Sequence, residues 1–178
     1  MKNRRKERFV QTAVEEFEKS LVSYAAHIVG DHERARDVVQ ETFLRLCKED
    51  TSSVEDHLAP WLFTVCRNLA LDVARKEARM KPMTDTRAEM STGDGSPPSA
   101  VLETKESINK VLEVVESLPV KQQEALRLKF QQGLRYRQIA DVMETSVSNV
   151  GVLIHTGINT VRGKLAPLQP DFGKGGAA

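Results

Sequence analysis

The chain is poor in aromatic residues, holds two cysteines and carries almost no net charge. Phenylalanine, tryptophan and tyrosine make up 5% of its 178 residues. Alternating β-branched runs and hairpin dipeptides such as Asn-Gly are missing, which argues against a strand-rich fold. Cys47 and Cys66 come without a CxxC or a His/Cys cluster, so neither a structural disulfide nor zinc is expected. Each lies among apolar residues on a predicted helix, where a free thiol behaves as a small hydrophobe. Lysine plus arginine (26) and aspartate plus glutamate (25) leave a formal charge of +1. A dedicated non-specific nucleic-acid binder is far more basic; any DNA contact here is local, or is made with a larger partner. No apolar run approaches the roughly 20 residues that cross a bilayer. The start MKNRRKERFVQTAVEEF lacks the apolar segment of an ordinary secretory signal. A cytoplasmic protein is expected.

Signs of catalysis are missing too. His27, His32, His57 and His155 are scattered along the chain. Asp37 and Glu41 could pair on a helix face, but no third ligand or base sits at matching spacing. There is no Gly-rich phosphate loop. No catalytic residue, metal or cofactor is expected.

What the chain does have is helical periodicity. Val10, Val14, Phe17, Leu21, Tyr24 and Ile28 step by three or four, which predicts a helix over 10–28 with one buried stripe. Gly30 ends it and Asp31 is placed to cap the next helix. Over 32–48, Ala35, Val38, Val39, Phe43 and Leu46 turn inward, while Arg34, Arg36, Asp37, Gln40, Glu41 and Arg45 turn outward. Residues 49–57 read as a loop. A third helix, with Pro60 at its start, carries Leu58, Trp61, Leu62, Val65, Leu69 and Val73 inward and runs to about Arg79.

Residues 81–100 change character to proline, glycine, serine, threonine and aspartate, the composition of a flexible linker. Beyond it, Ile108, Val111, Leu112 and Val115 form a helix stopped at Leu118-Pro119, and another helix spans about 121–131. After Gly133, residues 134–158 read as a helix-turn-helix. Ile139, Ala140 and Met143 lie on the first helix, Glu144–Ser146 break the pattern, and Val147, Val150 and Ile154 lie on the second. A small residue such as Ala140 lets two helices cross closely, and Ser146 is an N-cap candidate. Such a pair holds its second helix out toward a DNA major groove. That helix continues through Val161 and Leu165 to Pro167.

Three stretches carry a resemblance: DVVQETFLRL at 37–46, APWLFTVCRNLALDVARKEAR at 59–79, and SLPVKQQEALRLKFQQGLRYRQIADVMETSVSNV at 117–150. In order and register they resemble bacterial RNA polymerase sigma factors of the extracytoplasmic-function (ECF) group. The resemblance implies an all-α fold of two small helical domains joined by a flexible linker. Region 2, a three-to-four-helix bundle, would occupy 8–80, the linker 81–105, the region 4 helix-turn-helix 106–167, and a disordered tail 168–178. It implies an alternative sigma factor that binds core RNA polymerase, directs promoter-specific initiation and answers to an anti-sigma factor.

By the same resemblance, Asp37, Gln40, Glu41, Phe43, Leu44 and Arg45 would dock on the clamp helices of the largest polymerase subunit. Ser52, Ser53, Arg67, Asn68, Arg75 and Lys76, with Arg79 nearby, would serve the −10 element. Arg135, Arg137, Ser146, Ser148, Asn149, Val152 and His155 would serve the −35 element. Trp61 reads as core rather than as a base stacker. The apolar edge Leu153, Ile154 and Ile158 offers an anti-sigma contact, although Ile154 and Ile158 also fit as core.

The chain departs from better-known members in three places. Its 49–57 segment holds no aromatic residue, and Glu144 stands where a small turn residue is common. The last helix has Gly151, Leu153, Thr156 and Gly157 where relatives carry cations, and its first basic residue is Arg162. Two other readings stay open: a stand-alone helix-turn-helix regulator, and a degenerate sigma homologue acting by protein–protein contact. The first leaves DVVQETF and WLFTVCRN unexplained.

Overall fold

A computed structural model describes residues 2–80 and 109–166, and every regular element among them is helical. The expected linker, the tail and Ile108 lie outside the described residues. The chain divides into two compact units.

The first unit is built on α1 (Lys2–Val29), α2 (His32–Lys48), the single turn α3 (Thr51–Val54) with a 3-10 turn at Glu55–His57, and α4 (Leu58–Met80). The long helices α1, α2 and α4 each pack against the other two. Leu21 and Ala25 of α1, Ala35 and Leu46 of α2, and Leu62, Phe63, Cys66 and Ala70 of α4 are fully buried or nearly so. Tyr24 meets Phe63 edge to face, with ring centroids 5.3 Å apart, a contact worth about 0.5–1.5 kcal/mol beyond area burial. Gly30 adopts φ +72°, the left-handed conformation that ends α1. Asp31 then accepts a hydrogen bond from the Arg34 amide at 2.8 Å and starts α2.

Four expectations for this unit need correction. The segment 49–57 is not a loop. Asp50 accepts from the Ser52 amide at 3.1 Å and starts α3, which buried Val54 pins down; one turn is too short for periodicity to reveal. The buried face of α4 is Leu62, Phe63, Cys66 and Ala70, while Leu58, Trp61, Val65, Leu69 and Val73 are only half-buried. Two neighbouring helices select the innermost arc of a broad apolar face, and that choice rotates Trp61 to its edge. Helix α1 begins at Lys2, well ahead of its apolar stripe. Cys47 lies exposed on the outer side of α2. Cys66 is the buried thiol, and burial pushes its pKa up to about 12 despite a hydrogen bond with Thr42. It stays protonated and unreactive.

The C-terminal helices are α5 (residues 109–116), α6 (Val120–Phe130), α7 (Tyr136–Val142) and α8 (Val147–Leu165). Residues 137–144, which hold most of α7, fall outside the second unit. Helices α6 and α8 pack face to face, with Ala125, Leu126, Leu128, Val150 and Ile154 buried. Gly157 faces α6: a Cβ there would lie 3.0 Å from Leu126 Cδ1. Lys164 Nζ donates to Ser117 Oγ at 2.6 Å, tying α8 to the end of α5. Gly133 takes φ +67° in the turn before α7. Val147, expected in the apolar pattern, is exposed. It sits one residue past the cap, where α8 has not yet reached its neighbours.

The glycines of α8 separate two effects. A Cβ at Gly163 meets nothing within 4 Å, and one at Gly151 reaches only Tyr136 at 4.0 Å. Gly151→Ala and Gly163→Ala should therefore each raise stability by about 0.5–1 kcal/mol, the helix-propensity difference. Gly157→Val should lower it, because the larger side chain must displace Leu126. Urea denaturation of the three variants checks the order.

Candidate polymerase and nucleic-acid interfaces

Of the residues expected to meet a protein partner, five share the outer side of α2. Asp37, Gln40 and Arg45 are exposed, Glu41 is half-buried, and Leu44 is 55% exposed. Arg45 Nε donates to Glu41 Oε1 at 3.2 Å, one turn away. Phe43 differs. At 8% exposure it belongs to the core of its own unit, because the same periodicity that puts Leu44 outside puts Phe43 inside. It supports this face from beneath.

Beside the α2 face runs a largely apolar groove of about 480 Å³ between α2 and α4. Val38, Leu69, Val73 and Met80 supply its apolar surface, and Asp37, Glu41 and Lys76 its charges. An ion pair between Arg34 and Glu77 bridges the two helices. The resemblance groups Lys76 with Asn68; in the structure it faces this groove instead.

The expected −10 residues fall into two places. Asn68, Asp72, Arg75 and Arg79 repeat at helical spacing on an exposed face of α4. Arg75 pairs loosely with Asp72 at 3.5 Å. Arg67 is half-buried on the adjoining side. Ser52 lines a separate polar cleft of about 410 Å³, together with Arg5, Lys6, Asp50, Thr51 and Glu55. Ser53 Oγ donates to the Asp50 carbonyl at 2.7 Å, so its proton is already used. Nothing in the sequence pattern puts Arg5 and Lys6 at this place. The basic start of the chain is visible there, but its extension as helix to the α3 turn is not.

In the C-terminal helices, Ser146 accepts from the Asn149 amide at 3.1 Å and caps α8. Ser148, Asn149, Val152 and His155 are exposed along α8, Val152 at 61%. The Asn149 amide group donates to Thr145 Oγ1 at 2.9 Å, which orients it. Asn159, one turn beyond His155 and 2.9 Å from its ring, extends this face, and no motif position points to it. Arg135 and Arg137 flank the start of α7 and are exposed. Glu144 holds φ 51° at the turn, a left-handed conformation that favours glycine.

A second apolar groove, of about 390 Å³, lies among α5, α6 and α8 and is lined by Val111, Leu112, Phe130, Ile158 and Val161. Arg127 lies buried at its wall. Burial pulls its pKa below the ordinary value, and Glu116 opposes that shift. Of the proposed apolar edge, Ile154 is core, Ile158 lines the groove, and Leu153 is half-buried.

Comparison with known proteins bears on both units. The family profile for sigma-70 region 2 matches residues 13–80, and that for sigma-70 region 4 matches 108–159. The ECF RNA polymerase sigma factor EcfG of Rhodopseudomonas palustris (strain TIE-1) is 32% identical over 166 residues, covering 86% of this chain and 84% of that protein. The chain belongs to the ECF group of the sigma-70 family. The ECF sigma factor BldN of Streptomyces coelicolor is 29% identical over 160 residues, and the chain spans 59% of its length. The solved sigma factor RpoE of Bartonella quintana, in complex with the anti-sigma factor NepR, superposes with a TM-score of 0.62 at 19% identity, over 88% of this chain and 96% of that one. As an ECF sigma factor the protein acts in transcription initiation and is not an enzyme. Among the described residues no helix is long and apolar enough to cross a membrane.

Proposed function

We propose that this sigma factor engages core RNA polymerase through the exposed face of α2 and the adjoining groove, and reads a promoter with two surfaces. The observation that carries the reading is the division of labour along the 37–46 helix. Val38, Val39, Phe43 and Leu46 build the core, while Asp37, Gln40, Glu41, Leu44 and Arg45 lie on the outer side. A charged face rimmed by an exposed leucine suits a protein interface better than a merely solvated helix.

In this reading the Asn68, Arg75 and Arg79 face of α4 and the cleft at Ser52 serve the −10 element. The α8 face from Ser148 to Asn159, with Arg135 and Arg137, serves the −35 element. With no cation on that helix before Arg162, few counterions are released, and its phosphate binding is weak. The apolar groove at Val111, Phe130 and Ile158 fits the amphipathic helix of an anti-sigma factor, and the protein works in the cytoplasm.

Run-off transcription from genomic fragments with core polymerase tests the reading. Wild-type protein should yield discrete transcripts that core alone does not. Asn68→Ala should lower open-complex yield about tenfold, the cost of one base contact of about 1.4 kcal/mol, with core affinity unchanged. Wild-type yield from the variant would remove Asn68 from the reading face.

A further inference from the structure

The sigma-70 region 2 match begins at residue 13, but α1 begins at Lys2. Roughly 16 Å of helix, at 1.5 Å per residue, therefore precedes the matched residues. This extension carries Lys2, Arg4, Arg5, Lys6 and Arg8 against Glu7 alone, in a chain whose net charge is only +1. No acidic residue stands in its first turn. Cations at a helix N-terminus oppose the helix dipole, so the positive field there is concentrated rather than relieved. Such an arrangement is unfavourable for the isolated helix and favourable for binding an anion.

The extension is also placed. Arg5 Nη2 donates to Glu55 at 3.3 Å, and Lys6 Nζ donates to the Glu49 carbonyl at 2.8 Å. Both contacts fix α1 against the 49–55 segment, and together they wall the polar cleft with Asp50, Thr51 and Ser52. The two acids of that cleft are engaged: Asp50 caps α3 and Glu55 holds Arg5. Arg4 and Arg8 are exposed and make no ion pair among the described residues. Two deficits elsewhere give this patch a role. The cleft segment has no aromatic residue on which to stack a base, and α8 has no cation before Arg162. Without stacking, contacts to backbone charge make up a larger share of the affinity for a single strand.

We propose that the N-terminal end of α1 is a phosphate-binding arm, in which Arg4, Arg5 and Arg8 hold the backbone of single-stranded promoter DNA along the cleft at Asp50–Glu55. The inference rests on the sigma-factor reading and adds to it a contact ahead of the residues that the region 2 profile matches. Occupancy by an acidic protein surface is the alternative that the test separates.

The test uses the full chain assembled with core polymerase, on a fragment shown by run-off transcription to support initiation. The variant is Arg4→Gln, Arg5→Gln and Arg8→Gln together. Glutamine preserves helix propensity, and removing cations from the positive end of α1 does not weaken the helix; a thermal melt verifies this. Each single-strand phosphate contact contributes about 0.7 to the log–log salt slope of binding. The triple variant should therefore lower that slope by about 2 and weaken open-complex formation up to roughly a hundredfold at 0.1 M salt, with core affinity unchanged. Arg4→Gln with Arg8→Gln, which keeps the Arg5–Glu55 pair, should show at least two-thirds of the slope change. An unchanged slope and yield would overturn the arm, as would lost core affinity with the slope retained. Wild-type protein that fails to initiate anywhere would instead overturn the sigma-factor reading beneath it.

Discussion

Reversing both acids of the α2 face, Asp37→Lys with Glu41→Lys, should weaken binding to core polymerase by roughly a hundredfold or more. Like charges brought together at a desolvated interface cost several kcal/mol, and about 3 kcal/mol already corresponds to that factor. Both positions are accessible, and neither side chain is part of the buried core. The effect on folding is smaller. Glu41→Lys replaces the exposed pair with Arg45 by a like-charge neighbour, a change of a few tenths of a kcal/mol. A lysine in place of Asp37 would share the groove with Lys76, and water there screens the repulsion. Fluorescence anisotropy with labelled protein and core polymerase gives the affinity, and circular dichroism confirms the fold. Wild-type affinity in the double variant would move the interface off α2.

Phe63→Ala should destabilise the first unit by about 3–5 kcal/mol, the usual cost of removing a buried phenylalanine. Phe63 is 1% exposed, and its ring is the partner of Tyr24 between α1 and α4. For a unit of this size the whole folding free energy is about 5–10 kcal/mol, so one ring carries a large share of it. Trp61, the single tryptophan of the chain, lies half-buried two residues away and reports the transition by fluorescence. The urea midpoint should fall sharply in the variant, and core binding should fall with it at moderate temperature. A midpoint within error of wild type would mean that α1 and α4 do not close on this ring. Phe43, buried on α2, offers a comparison: Phe43→Ala should act through stability too, rather than through a lost surface contact.

The helices themselves, their caps and their punctuation were legible in the chain. Gly30 and Asp31, Gly133 before α7, and Ser146 before α8 act locally, through φ and a side-chain oxygen reaching an amide two or three residues on. Such effects need no tertiary partner, so residue type and spacing suffice to find them. The same holds for the charged face of α2, where a period of 3.6 separates Leu44 from Phe43. The family motifs then identified the chain, since three of them stand in order.

Other features depended on which surfaces meet. The inward arc of α4 is set by α1 and α2 together, so Trp61 moved to the edge and Phe63 to the centre. The short α3 turn exists because Asp50 caps it and Val54 finds a buried site, neither of which periodicity over four residues can express. Gly157 looks like a flaw in a helix until Leu126 is seen 3.0 Å from where its Cβ would stand. Arg5 and Lys6 are separated from Glu55 and Glu49 by some 50 and 43 residues of chain, and only packing of α1 along its whole length brings them to the cleft. Local chemistry determined the elements of this protein; contacts distant in sequence decided which of their faces became core and which became surface.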